Sequence, residues 1–147
     1  MNNKIKSKTR LTAIQILAQQ LVNKEDIQTI KDDFNKNYLN TSIDNTSEII
    51  KYNVNFLTKI INYYKKIEKN KISEKINSLI KFNRKFEKWD TINQAIVLIS
   101  YSEIINTEEK KMKIILNDYI EISKYFVDLK DTKLINSILD KLINEKK

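Results

Sequence analysis

Glycine, proline, cysteine and histidine are all missing from this chain of 147 residues. Each absence removes a class of structure or chemistry. Without glycine there is no phosphate-cradling loop and no dinucleotide-binding fingerprint. A turn that needs a positive φ must then fall on Asn or Asp. Hairpins built on Asn-Gly or Asp-Gly are excluded. Without cysteine there is no disulfide and no thiol chemistry. Without histidine the commonest general base and metal ligand is gone. The remaining acids do not replace these groups. Asp32/Asp33 and Glu108/Glu109 are adjacent pairs, and neighbours in a helix do not face one another. No nucleophile–base pair, metal site or cofactor site is expected, so the chain reads as a non-enzyme with no cofactor.

Helices joined by short polar loops are what such a composition can build. Hydrophobic residues make up 41% of the chain, enough to close one core, and the length suits a single domain. Helical periodicity runs throughout, with no alternating strand pattern. The first helix is expected from about Lys8 to Val22, with Leu11, Ile14, Leu17 and Leu21 on one stripe. Asn23 looks like the N-cap of a second helix over 24–38. A polar break at 41–47 precedes a long third helix from Ser47 to Lys69, with Asn53 on its inner face. A short fourth helix spans Ser73–Phe82. Asp90 is read as the cap of a fifth helix that is apolar nearly all round at 95–101, the mark of a central helix. Thr107 starts a sixth, and Asp131 caps a seventh that buries Ile135, Ile138, Leu139 and Leu142. The expected fold is all-α, about seven helices in two packed sub-bundles, 8–69 and 71–146.

The net charge is +8, and it is unevenly spread. Residues 1–10 carry four cations and no acid, and residues 51–88 carry eleven cations against three acids. These two stretches hold a surplus of twelve, which leaves the rest of the chain four negative. Such asymmetry points to a polyanion, most often nucleic acid, against the alternative of a solvated Lys-rich surface. The apolar stretch after the basic N-terminus is broken by Gln15, Gln19 and Gln20. It is not a signal peptide, and no run reaches membrane-spanning length, so a cytoplasmic location is expected. Trp89 is read as a staple against the fifth helix, with a partner-binding anchor as the alternative.

Two regions, the opening helix and the last third of the chain, resemble the NusB family of transcription antitermination factors. KTRLTAIQIL (8–17) is similar to the family's opening Arg-x-x-Ala-x-Gln-x-Leu, through Arg10, Ala13, Gln15 and Leu17. WDTINQAIVLISYSEI (89–104) and MKIILNDYIEISKYF (112–126) resemble its two central helices, the latter through Asn117, Asp118, Ile120, Glu121, Lys124 and Phe126. LINSILDKL (134–142) is similar to its Phe-Val-Asn-Gly-Val-Leu-Asp-Lys-Leu signature. Departures fall at Ala18, Leu98, Leu134 and Ser137, and two of them remove an aromatic. The resemblance implies binding of boxA-type single-stranded RNA in ribosomal RNA leaders, together with the ribosomal protein NusE. Other Nus factors and RNA polymerase would be indirect partners, and a membrane would not be one. In that setting Lys6, Lys8, Arg10 and Lys133 are expected to contact phosphates, and Gln15 and Asn136 to read base edges. A structural hydrogen bond is the alternative for each of these two amides. The N-terminal arm and the start of the seventh helix should lie close together. A separate face near Trp89 would bind protein. The alternative is a NusB-like helical protein-interaction module with weakened or lost boxA specificity.

Overall fold

The computed structural model describes residues 1–37, 51–80 and 84–146, with the side chain of Lys146 left aside. The described residues form seven α-helices and one short 3-10 turn, with no strand. The helices are α1 (Asn3–Asn23), α2 (Ile27–Asn37), α3 (Val54–Lys66), α4 (Lys69–Leu79), α5 (Thr91–Ile104), α6 (Glu109–Ser123) and α7 (Leu129–Lys146), with the 3-10 turn at Phe86–Lys88 before α5. The all-α architecture matches the expectation. None of the described helices is long and apolar enough to cross a membrane.

The centre is α5. Every residue from Gln94 to Ile104 is buried, so this helix has no solvent face over most of its length. Its polar side chains are satisfied locally. Ser100 and Ser102 donate to the carbonyls of Ile96 and Leu98, each at 2.6 Å. Around α5 lie α1, α3, α6 and α7; α2 packs on α1, and α4 leans on the 3-10 turn and on α7. The seventh helix buries the expected stripe, Ile135, Ile138, Leu139 and Leu142, and Ile143 extends it.

Helix ends differ from the expected ones by about a turn, for local reasons. The first helix starts at Asn3, because the Asn2 side chain accepts from the Ile5 N–H at 2.9 Å. It ends at Asn23 and is capped by Lys24, whose φ of 60° puts it in the left-handed region and whose N–H donates to the Gln20 carbonyl at 2.8 Å. Glycine commonly takes that place; here a lysine does, rather than an Asn or Asp. Asn23 therefore closes α1, and Asp26 accepts from the Thr29 N–H at the head of α2. Asn53 is the N-cap of α3, accepting from the Phe56 N–H at 2.8 Å, rather than a residue of its inner face. The fourth helix runs Lys69–Leu79, one turn earlier than expected. Asp90 holds the N-cap place of α5 without a side-chain cap bond. Asp128, not Asp131, caps α7, accepting from the Asp131 N–H at 2.8 Å. The expected polar break at 41–47, the start of the third helix at Ser47 and the end of the fourth at Phe82 lie outside the described residues.

Candidate nucleic-acid interface

The basic N-terminus is a helix end rather than a free arm. Lys4 is exposed and Lys6 half-buried on the first turns of α1. The first turn carries no acid, so the positive end of the helix dipole adds to the lysine charge. One turn above Lys6 the same side of the helix turns inward at Arg10.

Arg10 is committed to structure. It is buried, and its Nε and Nη2 donate to the two oxygens of Glu103 at 2.9 and 2.8 Å. Its Nη1 donates to Asp118 at 2.7 Å. The guanidinium lies over the rings of Phe56 and Tyr119, 5.4 and 5.6 Å from their centroids. Tyr119 donates its O–H to Glu103 at 2.6 Å, and Ser7 donates to Asp118 at 2.7 Å. One arginine thus ties α1 to α5 and α6. Burial works against its charge, but the bonded Glu103 carboxylate, with Tyr119 and Asp118, holds its pKa above the ordinary value. Burial first, then the charge of Glu103, pushes the Tyr119 phenol well up.

This corrects the phosphate-contact role expected for Arg10, because its donors already serve two carboxylates on neighbouring helices. Lys8 is corrected too. It is buried, and burial lowers its ammonium pKa. A sign of the cluster was present in the sequence. Glu103 is an acid inside a helix with no polar face, and a buried acid requires a partner.

The other expected contacts remain on the surface but do not form one cluster. Gln15, Lys133 and Asn136 are exposed. Neither Gln15 nor Asn136 engages its amide in a hydrogen bond among the described residues, so the structural bond is not made at either position. Gln15 is nine residues from Lys6, half a rotation round the helix, and so faces away from it. Lys133 and Asn136 share the outer side of α7. The first and seventh helices do not pack closely on one another; both lie against α5 and α6.

Between α1 and the end of α6 is a groove of about 290 Å³ lined by Ser7, Asp118, Glu121, Ile122, Lys124 and Tyr125. Tyr125, an aromatic of the kind on which an unpaired base stacks, is 56% exposed at its mouth. Lys124 is paired with Glu121 at 2.8 Å, a surface contact that a phosphate can displace. The sequence alone does not single out Tyr125, although the KYF step contains it.

Near the expected protein face, Arg84, Trp89, Asn93, Asp131 and Leu134 line an open pocket of about 130 Å³. Trp89 is held in place. Its ring packs edge-on against Phe86 with centroids 5.0 Å apart, and its Nε1–H donates to the Arg84 carbonyl at 2.9 Å. Asn93 donates to Asp131 at 3.2 Å, joining α5 to the first turn of α7.

Fold and site together define a helical protein built on a buried central helix, with a basic first helix clipped to it by one arginine. Residues 7–144 match the model of the NusB family, and the chain belongs to that family. Among curated proteins it is similar to the transcription antitermination protein NusB of Buchnera aphidicola subsp. Cinara cedri, at 41% identity over 60% of this chain and 55% of that protein. The protein of the same name from Blochmanniella floridana is 37% identical over 39% of this chain and 41% of its own length. That from Clostridium perfringens is 37% identical over 52% of this chain and 57% of its own. The chain thus spans about half the length of these curated relatives.

Proposed function

We propose that this chain is a non-catalytic, cytoplasmic transcription antitermination factor that binds boxA-type single-stranded RNA together with the ribosomal protein NusE. The family match over residues 7–144 carries this reading, since the relatives are named for antitermination. Lys4 and Lys6 meet phosphate at the positive end of α1. Lys124 and Lys133 extend that field along α6 and α7. The exposed Tyr125 stacks on a base, and Asn136 offers its unengaged amide to a base edge. Gln15, on the far side of α1, serves a flanking nucleotide or none. NusE occupies the face near Trp89 and Asn93, and other Nus factors and RNA polymerase join through that complex.

A second reading has one observation behind it. Burial of Lys8 and Arg10 removes half of the basic groups of the first ten residues from direct contact with RNA. A helical module that binds only protein would need no more than the cations left.

One experiment separates the two. An electrophoretic shift with boxA RNA, run with and without the ribosomal protein, should show salt-sensitive binding that the ribosomal protein strengthens. Binding of the ribosomal protein with no RNA shift in either lane would overturn the first reading in favour of the second.

A further inference from the structure

A second basic region lies away from the α1 end. Between residues 59 and 75 there are six lysines and two glutamates. Here α3, α4 and the end of α5 enclose a groove of about 460 Å³. Its rim holds Lys66, Lys71 and Lys75, and its walls include Tyr63, Ile72 and Tyr101. Lys66 makes no ion pair among the described residues, and neither do its neighbours Lys59 and Lys65. Lys71 is held by Glu68 at 2.8 Å and Lys75 by Glu145. Both are solvent-exposed pairs, which are weak and readily exchanged. Burial, followed by the like charge of Lys24, lowers the ammonium pKa of the nearby Lys69.

Position matters as much as charge. Tyr101, in the groove, and Glu103, in the arginine cluster, are two residues apart on α5. A helix turns about 200° over two residues, so the groove lies on the opposite side of α5 from the α1–α6 face. A short RNA seated on one face does not reach the other.

We infer that the α3–α4–α5 groove is a second, sequence-independent site for single-stranded RNA, taking up the flank of a transcript whose specific element sits on the α1–α6–α7 face. The chemistry favours RNA over an acidic peptide. Lysines on the rim meet a backbone phosphate every nucleotide, while Tyr63 and the apolar wall accept an unstacked base, for which an acidic peptide has no equivalent. The inference rests on the RNA-binding reading above, and its test is designed to fail separately from it.

The test uses the full chain and two RNAs. One is a boxA-type RNA of about 12 nucleotides, within the span of a single site. The other is the same element flanked by oligo(U) to roughly 30 nucleotides, longer than one site covers. Fluorescence anisotropy is read across a salt series for wild type, Lys66→Gln, and the triple Lys66→Ala, Lys71→Ala, Lys75→Ala variant. Wild type should bind the long RNA more tightly and with a steeper salt slope. The triple variant should lose on the order of tenfold for the long RNA, with the slope reduced by about 0.7 for each phosphate no longer neutralised, and keep its affinity for the short one. Lys66→Gln should show part of that loss. These lysines are exposed, so thermal melts should be unchanged.

An unchanged long-RNA affinity in the triple variant overturns the inference, and so does an equal loss for both RNAs. Loss of poly-glutamate binding with long-RNA binding intact would assign the groove to an acidic protein instead. If Lys6→Ala is silent on both RNAs while the triple variant loses only the long one, the α1 reading fails and the groove stands.

Discussion

Arg10 has two carboxylate partners, and the cluster as a whole carries one more negative than positive charge. Removing the arginine would leave Glu103 and Asp118 facing each other without a cation, with Glu103 buried. Breaking a buried pair from one side is strongly destabilising because the orphaned charge stays out of water. Arg10→Ala is therefore expected to cost about 3–5 kcal/mol, read as a lower denaturant midpoint. An unfolding curve within about 1 kcal/mol of wild type, close to the effect of an ordinary surface substitution, would mean that Arg10 is not a clip.

A second expectation at this scale concerns alkaline pH. Burial pushes the Tyr52 phenol up to about 12, where its O–H donates to Asn35, and pushes Tyr119 well up. A raised folded pKa gives stability that is whole below the unfolded value and is lost as pH rises toward the folded one. With an ordinary phenol near pH 10, stability should hold through neutral pH and fall from about pH 10 upward. Lys8 and Lys69, both lowered, work in the opposite direction near their ordinary value and soften that fall. Tyr52→Phe should flatten it further, as measured by denaturant midpoints together with tyrosinate absorbance. A midpoint that drops between about pH 6 and 8, near the ordinary histidine range, would contradict this.

Among the elements, α7 was the most legible in the sequence, and its start shows what was not. The apolar stripe at three- and four-residue spacing fixed which side is buried, since burial follows from periodicity alone. The first residue was harder to place because Asp128 and Asp131 are both good caps, one turn apart. In a chain without Gly or Pro nothing punctuates the choice. The same ambiguity moved the boundary between α1 and α2 from Asn23 to Asp26, and made Asn53 look like part of a helix that it begins. Leu139, fully buried, is expected to cost about 2–5 kcal/mol on substitution by Ala. Asp128→Ala should cost about 1 kcal/mol and Asp131→Ala less as a cap. Because Asp131 also accepts from Asn93, Asn93→Ala is the control, and an Asp131→Ala loss in thermal melts that exceeds both Asp128→Ala and Asn93→Ala would return the cap to Asp131.

For the molecule as a whole, charge was legible in the sequence but its placement was not. Four cations in ten residues signalled a polyanion face, and nothing in that number told buried ones from exposed ones. The difference lies in helical phase. Arg10 falls under α5 and α6 once α1 begins at Asn3, while Lys4 stays in solvent. Replacing Lys6, Lys8 and Arg10 together would therefore unfold the protein as much as test it. The cleaner experiment compares Lys6→Ala combined with Lys133→Ala against Asn136→Ala. The lysine pair should weaken binding to boxA and scrambled RNA alike and flatten the salt slope by about 0.7 for each phosphate left without its lysine. Stability should barely change, because neither side chain is part of the core. Asn136→Ala should leave the slope nearly intact and reduce the preference for boxA over scrambled RNA, since an amide reads base edges whereas an ammonium reads only charge. A salt titration of both variants on both RNAs decides the matter. If the lysine pair binds like wild type at every salt concentration, the RNA face is not at the ends of α1 and α7, and the basic groove on the opposite side of α5 becomes the primary site.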